Sequence, residues 1–321
     1  MPLTAITYHN LIETNQEIPG IHSFSVKNFI EQIKFINKIG TFITEEELLY
    51  CISKNLSFNK NYFLLTFDDS FKSQFILAKP ILDYHGIEGF FAISGKPFEK
   101  KEFLTQHNIQ LIRGFIGNDK LIFEELVEKI DNNPNFLISE FESYFLSSNH
   151  YPYDLRDARR LKILIEFLSI KKLIYVVDNF FNNITIKNGI KLDELYMSED
   201  DLFNLSKKHI LCCHSYNHER LSHLSMNKLE EDIILNKLFI QKYQTKVSGA
   251  IYPYGAVNTL SMEVFNKYSN YYKYGFTTER AINLTSNNSL AFARIDCNDF
   301  IDYKEKKLLD RIYRRRYFYE N

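Results

Sequence analysis

The chain has 321 residues, 45% of them hydrophobic, enough for a sizeable core and long enough for one large α/β barrel or two ordinary domains. Its 39 basic and 40 acidic residues leave a net charge of -1, so no global field recruits nucleic acid or an anionic surface, and such a partner would need a local patch. Met1 to Ile6 lack the basic and long apolar regions of a secretory signal, and no segment reaches about eighteen uninterrupted apolar residues. With four cysteines and no C-x-x-C pair, neither a disulfide framework nor a thiolate zinc site is expected, and the chain reads as a cytoplasmic protein with reduced thiols.

Short β-branched or aromatic runs alternate with longer amphipathic ones, the pattern of a parallel α/β fold. The first strand is expected at Thr4 to Tyr8, with His9 directly after it. Thr44-Glu45-Glu46-Glu47 reads as a capping box that opens a helix. Strands follow at Tyr62 to Phe67, which runs into Asp68-Asp69-Ser70, and at Glu88 to Ile93. From about Ser94 to Tyr196 no strand stands out; Leu121 to Ile130, Phe136 to Phe145 and Leu155 to Leu168 read as helices, with turns at Asn132-Asn133-Pro134 and Tyr151-Pro152-Tyr153. That length exceeds a simple crossover, so 94–195 is expected to be a helical insertion in a barrel built from 1–93 and 196–321. The alternation resumes with a strand at His209 to Cys213, which runs into His214-Ser215-Tyr216-Asn217-His218. A helix is expected from Ser225, its N-cap, to Tyr243. Strands at Val247 to Ile251, Tyr274 to Thr278 and Leu290 to Ile295 complete a set of seven.

Two adjacent carboxylates at a buried strand end repel each other and raise one pKa unless a cation or an arginine sits between them. His214 and His218 stand at i and i+4, so a single helical turn would bring both imidazoles onto one face, close enough to share an ion. A carboxylate with two imidazoles is a common open set for a catalytic divalent ion. Such a histidine pair alone is weak, being frequent on solvated helices. Its position after a strand strengthens it, because all strand C-termini of a parallel barrel open on one face. His9, the segment Tyr252-Pro253-Tyr254-Gly255, and Arg294 with Asp296 fall at three further strand ends. Bland alternatives stand beside these: Asp68-Asp69 as a solvated turn, His9 as a core histidine, Arg294 as half of a structural ion pair. The tail Arg311 to Tyr319 is basic and aromatic; it could touch an anionic membrane face or close the fold as an amphipathic helix.

Taken together, Thr66-Phe67-Asp68-Asp69, His214-Ser215-x-x-His218 and Tyr252-Pro253-Tyr254-Gly255 resemble, in order, the first three motifs of the polysaccharide deacetylases, the NodB-homology group or carbohydrate esterase family 4. The resemblance covers about 1–93 and 196–300. It implies a distorted (β/α)7 barrel, with Asp68 as general base and Asp69, His214 and His218 as ligands of a divalent ion, usually zinc. The chain departs from the common pattern twice. Tyr252 stands where an arginine usually begins the third motif, and the late Leu-x-His that supplies the general acid is absent, no histidine following His223. Thr7-Tyr8-His9-Asn10 looks like the first-strand segment of the branch typified by poly-N-acetylglucosamine deacetylases. By that likeness His9 would be the general acid and Arg294 would orient the base.

The backbone N–H of Tyr254 would help stabilise the oxyanion, Gly255 would let the loop turn tightly, and either Asp296 or Asp299 would pair with a site cation or with the histidine. The activity implied is metal-dependent removal of an N-acetyl or related N-acyl group from an amino sugar in a polysaccharide, a lipid-linked glycan or a sugar precursor. The two departures keep a second possibility open, a deacetylase-fold protein without turnover that binds glycans or serves as a scaffold. A related metallohydrolase acting on another amide or a phosphoester is a third.

Overall fold

The computed structural model describes residues 2–13, 18–148, 150, 154–187, 189, 191–255 and 260–300. The turn expected at Tyr151 to Tyr153 and the tail Arg311 to Tyr319 lie outside the described residues. In chain order, β1 (Leu3–Tyr8), β2 (Asn10–Ile12), β3 (Ser23–Ser25), α1 (Val26–Ile39), β4 (Thr41–Phe42) and α2 (Glu45–Ser53) lead to β5 (Tyr62–Phe67). A π-helical turn over Gln74–Ala78 runs into α3 (Lys79–His85), then β6 (Gly89–Ile93) and α4 (Lys96–Glu99). Five helices follow: α5 (Thr105–Ile116), α6 (Asp119–Ile130), α7 (Ile138–Ser147), α8 (Arg156–Ile170) and α9 (Ile174–Lys187). The chain then forms α10 (Leu192–Leu195), α11 (Glu199–Leu205), β7 (Ile210–Cys213), α12 (Met226–Ile240), β8 (Gly249–Ile251), α13 (Met262–Ser269), β9 (Tyr274–Phe276) and β10 (Arg294–Asp296).

Two compact units result. One comprises Met1–Gln16, His22–Glu102 and Leu192–Asn321; the other comprises Glu17–Ile21 and Phe103–Lys191. The second unit has its own core, in which Ile112, Leu126, Phe141, Leu164 and Phe181 are buried together. No described helix is long and apolar enough to cross a membrane.

In the first unit the strands run in the order β10-β1-β5-β6-β7-β8-β9, all parallel, with β4 added against β5. A parallel bridge between Phe276 and Phe292 ties the β9 side back towards β10, so the sheet nearly closes into a distorted (β/α)7 barrel. The seven strands on this path are the seven expected, with shifted ends. The last is shorter than the apolar run Leu290 to Ile295, because Ser289–Ala291 turns as a 3-10 helix whose Leu290 carbonyl accepts the Tyr252 hydroxyl. The capping box forms as expected: Thr44 Oγ1 accepts from the Glu47 N–H at 3.2 Å and Glu47 accepts from the Thr44 N–H at 3.1 Å. Ser225 takes the extended N-cap conformation of α12 without a side-chain cap bond.

Side chains alternate between two cores with the two-residue period of a strand. Ala5, Leu64, Phe90, Cys212, Ile251 and Tyr274 belong to one, the barrel interior. Their neighbours Ile6, Leu65, Phe91, Cys213 and Ala250 belong to the other, packed against the surrounding helices. This parity places the chemistry. Asp68 continues the inward row Tyr62, Leu64, Thr66; His214 continues that of Cys212; and Arg294 opposes the outward Ile295. Gly249 leaves room for an interior ring, since a Cβ there would lie 2.0 to 2.6 Å from atoms of Tyr274.

Candidate metal centre

The pleat brings Asp68 inward at the end of β5, where its N–H still donates to the Tyr8 carbonyl at 2.9 Å. Arg294, buried on β10, meets it there: Nη1 donates to Asp68 Oδ1 at 2.8 Å and to Thr66 Oγ1 at 3.0 Å, while Nε donates to the Thr277 carbonyl at 2.9 Å. Burial pushes the Asp68 carboxyl up, but the charges of Arg294, His214 and His9, with the Arg294 hydrogen bond, overcome it and hold the pKa below the usual carboxylate value. Beyond Asp68 the backbone turns through φ of 76° at Asp69 and 60° at Ser70, which sends the second carboxylate to different partners.

These partners are the two imidazoles. Asp69 Oδ1 lies 3.3 Å from His214 Nε2 and 3.2 Å from His218 Nε2. The helical turn expected over His214 to His218 is not formed. The segment is a loop in which Ser215 and His218 take φ of 58° and 56°, and this left-handed excursion, rather than a helix face, turns both rings onto one point, with centroids 4.8 Å apart. His214 is fixed by its main chain, its N–H donating to the Ile93 carbonyl and its carbonyl accepting from Ser94 Oγ. Its Nδ1 sits 2.6 Å from the Ile251 carbonyl. A carbonyl can only accept, so Nδ1 carries a proton and Nε2 is the nitrogen turned to Asp69: it donates to that carboxylate when protonated and offers a lone pair once that proton is lost. Burial opposes protonation of His214, but the Asp69 hydrogen bond and the Asp68 and Asp69 charges raise its pKa above the ordinary value.

After β8 the third segment divides by parity. The Tyr252 ring goes outward to Tyr268 and Phe265 and takes no part in the site. Tyr254 turns back, its ring 5.1 Å from that of His218 with the Arg220 guanidinium 4.5 Å from its centroid. The tight turn expected of Gly255 is made one residue earlier, by Tyr254 at φ 51°. Gly255 is needed for close approach, since a Cβ there would lie 2.4 Å from the Tyr252 Cβ. Five of the eight non-glycine residues with positive φ among those described are Asp69, Ser70, Ser215, His218 and Tyr254. Such conformations cost about 1–3 kcal/mol each and persist where the surroundings over-determine them, which is common at functional sites.

His9, half-buried after β1, is close enough to Asp68 for its charge to lower that carboxyl. Gln74, in the π-helical turn, donates through Nε2 to the Asp68 and His9 carbonyls and so ties the two strand ends together. Asp296 and Asp299 are engaged elsewhere, Asp296 by the Asn298 N–H and amide and Asp299 by Arg280 at 3.0 Å. Sequence reasoning missed Thr66 as a holder of Arg294, Gln74, and two residues of α12. Asp232 accepts from the Ser215 hydroxyl and the Tyr216 and Asn217 N–H groups, and Asn236 bonds the Ile93 carbonyl and the Gly95 N–H. The available signal was a carboxylate and an amide, four residues apart, on the stripe of Leu229, Ile233 and Ile240 that the helix buries.

The donor set fits a divalent cation. One carboxylate oxygen and two imidazole nitrogens, all within 4.8 Å of one another, supply mixed oxygen and nitrogen ligands, and the tautomer of His214 presents the lone pair such an ion needs.

Neither a protein-family model nor a curated protein sequence matches the chain. Solved structures do. The Streptococcus pyogenes deacetylase PplD, in complex with acetate, is 14% identical with a TM-score of 0.56, covering 92% of each chain. IcaB from Ammonifex degensii is 12% identical with a TM-score of 0.53, over 92% of this chain and 91% of that one. A de-N-acetylase from Aggregatibacter actinomycetemcomitans is 13% identical with a TM-score of 0.54, over 97% and 100%. At these identities the likeness is one of fold alone.

Proposed function

We propose that the protein is a metal-dependent hydrolase that removes an N-acetyl or related N-acyl group from an amino sugar, with zinc as the metal of choice. The observation that carries this is the convergence of Asp69, His214 and His218 beside a second carboxylate, Asp68, that Arg294 holds apart from them. The acyl chemistry draws further support from the solved structures of like fold, which include a deacetylase and a de-N-acetylase. The carbohydrate is argued from a further structure of like fold, the polysaccharide deacetylase BC0361 from Bacillus cereus.

Asp69, His214 and His218 would hold the divalent cation, which when bound would supply a more acidic water and an electrophile for the amide oxygen. Asp68, ionised at neutral pH because Arg294 lowers its pKa, takes the water's proton while Arg294 fixes the direction of the carboxylate. The Tyr254 N–H donates to the developing oxyanion, and the Tyr254 ring beside His218 excludes water from one side. His9 protonates the departing amine, a role worth about 10²- to 10⁴-fold. The second possibility, a binding protein without turnover, is motivated by the missing motif-three arginine and the missing late histidine; that Arg294 reaches the Asp68 carboxylate from β10 supports the enzyme reading on the first of these, and on the second that reading rests on His9.

The test is elemental analysis of the purified protein together with acetate release from a panel of N-acetylhexosamine oligomers, before and after chelation. About one divalent ion per chain and loss of acetate release on chelation are expected. Full activity in a chelated, ion-free protein would overturn the proposal, and glycan binding without hydrolysis would favour the binding protein.

A further inference from the structure

We infer that Asp232, on α12, is a positioning residue that holds the His214–His218 loop in its metal-binding shape. The inference rests on the metal site proposed above and adds a residue outside its ligand set.

The loop has an intrinsic reason to relax. Ser215 and His218 both sit at positive φ, where an L side chain is strained, and such a geometry lasts only if its surroundings dictate it. Three donors of this loop meet one oxygen. Asp232 Oδ2 accepts from Ser215 Oγ at 3.0 Å, from the Tyr216 N–H at 2.9 Å and from the Asn217 N–H at 3.3 Å. The successive N–H groups that follow a left-handed residue form a small anion-binding concavity, and here the chain's own buried carboxylate fills it. Hydrogen bonds to an ionised acceptor are about twice as strong as neutral ones. Ser215 completes the clamp, because its Oγ also accepts from the Glu219 N–H and so spans the stretch that carries His218.

The anchor is itself rigid. One turn further along the same buried face, Asn236 accepts the Gly95 N–H at 2.9 Å and donates to the Ile93 carbonyl at 2.8 Å, and Ile93 in turn accepts the His214 N–H at 3.1 Å. Asn236 Nδ2 also donates to Cys213 Sγ at 3.2 Å, so α12 grips the chain on both sides of His214, through Asn236 before it and Asp232 after it. Asp232 touches neither imidazole; its effect on the ion passes through the backbone of the loop.

The experiment uses full-length apo-protein. Co²⁺ and Zn²⁺ affinities are measured by chelator competition, and the visible spectrum of the Co²⁺ form is recorded, for the wild type and for Asp232→Ala, Asp232→Asn and Ser215→Ala. Loss of a group that orients metal ligands is expected to weaken binding about 10- to 100-fold in Asp232→Ala, with an altered Co²⁺ spectrum. Asp232→Asn keeps an oxygen acceptor and should recover most of the affinity. Ser215→Ala, which removes one donor and no core group, should weaken binding in the same direction and less than additively with Asp232→Ala. If Asp232→Ala does not fold, Ser215→Ala and Asp232→Asn decide the matter. Wild-type affinity and spectrum in every folded variant would overturn this inference and leave the metal site standing, whereas a wild-type protein that binds neither ion would overturn both.

Discussion

Asp68 and Asp69 leave one strand end and meet opposite company, an arginine for the first and two imidazoles for the second. Their mutual repulsion is offset on each side by a different cationic or proton-bearing group, and the turn through two positive-φ residues is what separates them. Substitution should therefore divide their roles. Asp69→Asn is expected to weaken Zn²⁺ binding, while Asp68→Asn keeps the metal and loses about 10²- to 10⁴-fold in kcat; chelator competition and acetate release on the same preparations read the two separately, and equal metal loss in both would contradict the division. Arg294 raises a different stake. It is 3% exposed and neutralises a carboxylate as deeply buried as itself. Arg294→Met leaves that charge uncompensated and should cost about 3–5 kcal/mol in urea unfolding. Arg294→Lys keeps the charge but cannot reach Asp68, Thr66 and Thr277 with one planar fork, so it should restore part of the stability and little of the rate. A change below about 1 kcal/mol in Arg294→Met would mean that Asp68 is not held as a buried anion.

At the scale of the elements, the site is a consequence of strand parity, and parity depends on an interior that is filled without slack. Gly249 on β8 faces the Tyr274 ring of β9, whose hydroxyl donates to Glu45 at 2.7 Å. Gly249→Ala drives a methyl into that ring and should destabilise the protein by about 1–3 kcal/mol, seen as a lower urea midpoint with altered near-ultraviolet tyrosine dichroism; an unchanged midpoint would show that the interior yields at no cost. Parity also explains what is legible in the sequence. Tyr62 to Phe67 is apolar, β-rich and continuous, so its end, and Asp68 with it, is legible. The convergence of His214 and His218 was legible as a spacing but not as a geometry, because i and i+4 suggest a helix, and a left-handed loop held by a distant helix leaves no mark in its own five residues. Arg294 was legible as an orphan charge at a strand end, and its partner as a matter of closure between the first and last strands. Asp232 and Asn236 were hidden because a periodic apolar stripe draws attention to Leu229 and Ile233 and away from the polar residues the same face buries.

At the scale of the whole molecule, the acid side of its stability should be set in part by His209, which precedes β7. Its ring is buried, and its Nδ1 accepts from the Gly89 N–H at 3.2 Å. Burial, partly offset by the Asp83 carboxylate and reinforced by Lys79 and Lys208, pushes its pKa from 6.5 down to about 4. The unfolded chain takes up a proton below pH 6.5 that the folded chain refuses, so this contribution is complete above 6.5, declines as the pH falls and is gone below about 4, with a depth on the order of 3 kcal/mol. Asp232 works in the opposite sense over the same window. Burial, opposed by the Tyr216 and Asn217 N–H groups and the Ser215 hydroxyl, raises its pKa from 3.8 to about 6, so folding favours its protonated form and that contribution is lost as the pH rises through 6. The two slopes partly cancel in the stability curve of the intact protein, which is why a variant, and not the curve itself, isolates the histidine. His209→Gln keeps a side-chain acceptor available to Gly89 while removing the titration. It should be less stable than the wild type at pH 7, and the gap should narrow as unfolding is repeated at pH 5.5 and pH 4, as the wild type alone pays for protonating the ring; a gap that stays constant across the three would mean that His209 accepts its proton as readily in the folded chain as in the unfolded one.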